Sequence, residues 1–147
     1  MRRTRPPLKL RNGPLALVLA QVRISPVLQM RTYVPEIQEI LRRKGFPRYA
    51  ESQLQEIVLG PASAPAVNVE SKWVFSDRDL TSAVALAAGF VSLQTTVYDT
   101  FDVFADQMRE VLDVVGAVAG IDLAERLGLR YIDYVRPLGD DRVADYL

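Results

Sequence analysis

From Leu15 the chain is apolar at nearly every position until Gln21 and Arg23, which predicts a strand buried on both faces at its start and on one at its end. Pro26 closes it. Val34, Ile37, Ile40 and Leu41 then recur at helical spacing, and the flanking signals agree with a helix over Val34–Lys44. Pro35 stands at its first turn, Glu36 and Glu39 toward the positive end of its dipole, and Arg42, Arg43 and Lys44 toward the negative end before Gly45. Ser52–Leu59 reads as a strand ended by Gly60 and Pro61, with the Pro/Ala/Ser stretch 60–66 as its connection. In Val67–Phe75 the odd positions are mostly apolar, as in a half-buried antiparallel strand, so Trp73 and Phe75 point inward. Asp77 to Leu80 makes a turn. Ser82–Thr95 predicts one long strand with Val84, Leu86, Ala88 and Phe90 on one face, Gly89 marking a bulge or the close approach of a helix.

Phe101, Phe104, Met108, Val111, Val115 and Val118 follow spacings of three and four, which places them on one stripe of a helix of about five turns. Asp99 or Thr100 caps its start, and the helix runs toward Ala119. The stripe suits the face of a sheet better than a dimer seam, because the flanking positions carry no regular charge pattern. Leu127–Val135 is the last strand, ended by Pro137; period two sets Arg130, Ile132 and Tyr134 on one face and Leu129, Tyr131 and Asp133 on the other. The order strand, helix, three strands, helix, strand predicts an α+β fold, a curved antiparallel sheet with two helices packed on one face (β-α-β-β-β-α-β).

Composition narrows the chemistry. The 147 residues contain neither cysteine nor histidine, so the usual zinc sets, thiol nucleophiles and Ser-His-Asp relays have no material. No P-loop, dinucleotide fingerprint or EF-hand spacing occurs, and no cofactor is implied. Asp99, Asp102, Asp106 and Glu110 form one acidic edge of the second helix; a solvated face outweighs a Mg²⁺ site there, and no metal site is assigned. The longest apolar stretches, Pro14–Ala20 and Ala83–Leu93, fall short of the roughly 18 residues of a membrane helix, and no signal peptide is evident. A cytoplasmic protein that does not span a membrane is therefore expected.

Charge is balanced overall but not along the chain: residues 1–73 carry 12 basic and 5 acidic side chains, residues 74–147 carry 6 and 13. Residues 1–13 read as a flexible basic arm ahead of a single domain over 14–147. Arg2, Arg3, Arg5, Lys9 and Arg11 of the arm, with Arg42, Arg43 and Lys44, make one candidate surface, for the phosphates of nucleic acid. A solubilising tail is the plainer reading of the arm. The other candidate is the polar-aromatic last strand, where Arg130, Tyr131, Asp133 and Tyr134 would meet a protein partner. An Arg paired with a neighbouring carboxylate and a packed Tyr is its plainer reading.

Several segments carry a resemblance: Ala20-Gln21-Val22-Arg23-Ile24-Ser25-Pro26-Val27, Tyr33-Val34-Pro35-Glu36-Ile37-Gln38, Gly45-Phe46-Pro47, Phe90-Val91-Ser92-Leu93-Gln94-Thr95 and Arg126-Leu127-Gly128-Leu129-Arg130-Tyr131-Ile132-Asp133. Together they resemble a sporadically distributed family of uncharacterised bacterial proteins, from Pro14 onward. Members of that family are longer, so the resemblance implies that this chain matches the first half of one. A sporadic distribution implies a regulatory, defence-associated or toxin–antitoxin-like role, with no catalytic residue to transfer. The expectation is a non-enzymatic interaction domain whose partner is another protein, the missing C-terminal half, or a second copy in a homodimer. The alternative is a nucleic-acid-binding module that uses the basic arm.

Overall fold

The computed structural model describes residues 13–58 and 66–135. The elements run β1 (Leu15–Ile24), α1 (Met30–Arg43), β2 (Arg48–Val58), β3 (Ala66–Ser76), β4 (Ser82–Ala87), β5 (Phe90–Thr95), α2 (Phe101–Ala119) and β6 (Ala124–Asp133). All strands join one antiparallel sheet in the order β2-β3-β4-β5-β1-β6. The α+β class expected from the sequence holds, with an open sheet and two helices.

The segment 82–95 folds differently from its sequence reading. Ser82–Thr95 is not a single strand but a hairpin, with Ala88 and Gly89 as its turn. The two-residue turn reverses the chain so that Val84 faces Leu93 and Leu86 faces Val91, all four buried. Phe90 thereby passes to the opposite face, beside Ala87 and across from Arg23. The tip of the hairpin is stitched to the end of β1: Ile24 N–H donates to the Gly89 carbonyl at 3.1 Å and Val27 N–H to the Ala88 carbonyl at 2.9 Å.

Helix α1 begins at Met30, earlier than the proline suggested, so Pro35 lies inside it and no acid occupies its first turn. Burial accounts for the earlier start, because Met30, Val34, Ile37 and Leu41 are the buried stripe and the first of them needs the added turn. Thr32 secures that turn by donating both its N–H and its hydroxyl to the Gln29 carbonyl, at 2.9 and 2.7 Å. Helix α2 starts where expected: the Thr100 hydroxyl accepts from Val103 N–H, and Gly120 closes the other end at φ 66° in the left-handed region.

The helices bury one face of the sheet. Val18, Ala20 and Val22 of β1, Trp73 and Phe75 of β3, Val84 and Leu86 of β4, and Val91 and Leu93 of β5 meet α1 and the Phe104, Met108, Val111 and Val115 stripe of α2 in one core. Arg31 clamps α1 to the sheet by donating to Glu51 and to the Ser71 hydroxyl, each at 2.7 Å, with its guanidinium 5.4 Å from the Trp73 ring centre. Among the described residues no helix is long and apolar enough to cross a membrane.

Candidate functional site

Strand β6 lies at one edge of the sheet, and β1 is its neighbour on the inner side. The pairing is antiparallel, with Val18 opposite Tyr131, Leu19 opposite Arg130, Ala20 opposite Leu129, Gln21 opposite Gly128, Val22 opposite Leu127 and Arg23 opposite Arg126. Directly opposed residues share a face. Leu127, Leu129 and Tyr131 therefore stand on the helix face with the buried residues of β1, and Arg126, Gly128 and Arg130 stand on the open face. For Leu129, Arg130, Tyr131 and Ile132 the two-sided division read from the sequence is the one the register shows; the register shifts before Asp133, and Tyr134 lies past the end of the strand.

On the helix face the cover stops short of the edge. Leu127 is 71% exposed and Leu129 46%, although their neighbours Val22 and Ala20 are buried. Between them and α2 runs a groove of about 550 Å³, almost wholly apolar in its lining. Phe101, Met108 and Leu112 of α2 form one wall, Leu123, Leu127 and Leu129 the other, and Ala20 and Val22 the floor. Phe101, expected in the buried stripe of α2, is 54% exposed on this groove. Beyond β6 no further strand pairs with its outer edge among the described residues.

On the open face the same two strands carry charge. Arg23 and Arg126 are cross-strand partners, Arg130 lies four residues further along β6, and Gly128 with Gln21 lies between. These residues, with Leu19 and Leu129, line a mainly polar depression of about 400 Å³. None of the three arginines has an ion-pair partner among the described residues. Like charges directly opposite each other destabilise a strand pair.

The residues singled out in the sequence divide between these features. Arg130 belongs to the charged depression. Tyr131 stands on the helix face, its hydroxyl 3.2 Å from that of Tyr98 and its ring edge-on to it, and remains 46% exposed. Asp133 ends β6 opposite Leu15, and Tyr134 N–H donates to the Pro14 carbonyl at 2.6 Å. Arg2, Arg3, Arg5, Lys9 and Arg11 lie outside the described residues. Arg42 and Arg43 both close on Glu39, at 2.9 and 2.7 Å, and Lys44 stands 3.9 Å from Glu110. The hydrogen bonds from Arg42 and Arg43 hold the Glu39 carboxyl down at about 2. Along the acidic edge of α2, Asp106 pairs with Arg109, and no group of three possible metal ligands forms among the described residues.

Arg23, Arg126, Leu127 and Leu129 had no place among the sequence candidates. The alternation Arg126-x-Gly128-x-Arg130 was visible, but its meeting with Arg23 depends on the pairing of β1 with β6. No family model matches the chain, and neither a curated protein nor a solved structure does.

Proposed function

We propose that this chain is a non-enzymatic interaction domain that receives a polypeptide from another protein alongside β6. One observation carries the reading: the outer edge of β6, which pairs with no other strand among the described residues, is also the rim of the apolar groove beside α2. A long edge strand with exposed apolar side chains offers both halves of a strand-addition site, main-chain donors and acceptors for the ladder and a surface for alternate side chains. Covering the exposed part of Leu127 and of Leu129 is worth about 1–2 kcal/mol each, at the lower end of the value for a fully buried leucine. The absence of cysteine and histidine fits a domain that binds rather than transforms, and a regulatory role fits the same description.

The test compares the tagged wild type with Leu127→Asp, both shown by circular dichroism to be folded, for protein captured from nuclease-treated lysate of the host. A stoichiometric polypeptide held by the wild type and reduced at least tenfold by Leu127→Asp is the expected result, with weaker capture by Arg130→Ala and Tyr134→Ala. Equal capture by wild type and Leu127→Asp, or no stoichiometric capture by either, overturns the reading.

A further inference from the structure

The open face of β6 adds a chemical requirement to whatever docks on its edge. Arg23 and Arg126 are set directly against each other, Arg130 stands about 13–14 Å further along the strand, and no carboxylate of the described residues answers any of them. That arrangement costs stability in the free protein, and a bound anion reverses the sign. Gly128, which has no side chain, lines the depression between the arginines. Neither backbone nor space demands that glycine: Gly128 does not have positive φ, and a Cβ there would stand 3.9 Å from the Gln21 carbonyl oxygen, an ordinary contact.

We infer that the polypeptide docking on β6 is a strand of alternating character, with carboxylates facing Arg126, Gly128 and Arg130 and apolar side chains facing Leu127 and Leu129. The inference rests on the strand-addition reading of β6 and names its partner chemistry. Successive side chains of an added strand fall on opposite faces, so a single occupant meets the groove and the arginines together. A glutamate opposite Gly128 lies across the vacant position into the depression, and its neighbours two residues away meet the guanidinium forks, which bind carboxylates bidentately. A nucleic-acid strand would satisfy the arginines but leave the β6 amides and both leucines uncovered. A second copy of this chain, paired about Gly128, would set each Arg126 against the other's Arg130.

The probes are three nine-residue peptides in which valine alternates with glutamate, glutamine or lysine, titrated against the full chain by fluorescence anisotropy and mapped by amide hydrogen exchange. The glutamate peptide binds at least tenfold more tightly than the glutamine peptide, weakens with salt, and protects the amides of β6. The double variant Arg126→Gln/Arg130→Gln, and separately Gly128→Val, brings the glutamate peptide down to the glutamine level and leaves the glutamine peptide unchanged. Equal binding of glutamate and glutamine peptides, with β6 protected, overturns the charge requirement and leaves the strand-addition reading standing. No protection of β6 by any peptide overturns both. Binding of a short oligothymidylate that needs the same arginines, with no peptide bound, assigns the depression to nucleic acid and overturns the inference.

Discussion

The rings of Tyr98 and Tyr131 meet edge to face, their centres 5.7 Å apart at 88° and their hydroxyl oxygens 3.2 Å apart. Tyr98 belongs to the loop before α2, where its ring also packs 6.0 Å from Phe104, and Tyr131 belongs to β6. The pair joins the edge strand to the core at the end of the helix face where α2 begins. It leaves the adjoining apolar stretch, Leu127 and Leu129, to face the groove.

Burial first, and then the bond to Tyr131, push the Tyr98 hydroxyl up to about 12. An unfolded tyrosine ionises near 10, so between 10 and 12 the unfolded chain loses a proton that the folded chain keeps, and stability falls as pH rises through that window. Tyr131→Phe removes one cause of the shift. Absorbance titration of the variant near 295 nm is expected to show Tyr98 ionising closer to 10, with a smaller loss of stability over the window. An unchanged titration would assign the shift to burial and the nearby Asp102 carboxylate.

Arg126 opposes Arg23 on a strand pair, and like charges set directly opposite each other are destabilising. Arg126→Gln is expected to raise the free protein's melting temperature by a small increment at low ionic strength, the gain shrinking at about 1 M salt, where the screening length falls to about 3 Å. Calorimetry at two salt concentrations reads it. A lower melting temperature for the variant would mean that the arginine stem contributes more by packing than its charge costs.

Leu80 holds φ at 58° in the turn between β3 and β4 and is 65% exposed. The turn is fixed around it by Asp77, whose carboxylate accepts from the Thr81 N–H at 2.8 Å and from the Thr81 hydroxyl at 2.5 Å. A leucine in the left-handed region carries a steric cost of about 1–2 kcal/mol that glycine does not. Leu80→Gly is therefore expected to stabilise the protein by about 0.5–1 kcal/mol in urea unfolding, after glycine's greater freedom in the unfolded chain is subtracted. A loss of stability would show that the Leu80 side chain has contacts worth more than the strain.

Much of the architecture was legible because it is written in local periods. The stripe of Phe104, Met108, Val111 and Val115, the cap at Thr100 and the alternation around Trp73 and Phe75 each specify an element and its buried side. Two readings failed where one local signal admitted two geometries. Val84, Leu86, Ala88 and Phe90 alternate as one long strand would, yet the same letters serve a hairpin in which Val91 and Leu93 replace Ala88 and Phe90 on the inner face. Pro35 marks a helix start in many sequences, but here the burial of Met30 extends the helix back past it.

The sequence by itself determined the order of strands and helices apart from the hairpin within 82–95, though not where α1, β2 and β6 begin, and that Arg130 and Tyr131 face opposite ways, since side-chain direction follows from backbone period alone. Which strands lie side by side was decided only in the tertiary structure, because main-chain ladder bonds are the same for every residue and carry no address. The pairing of β1 with β6, more than a hundred residues apart, is what sets Arg23 against Arg126. Placing β6 outermost, beyond the reach of α2, is what turns Leu127 and Leu129 from core residues into the wall of an open groove.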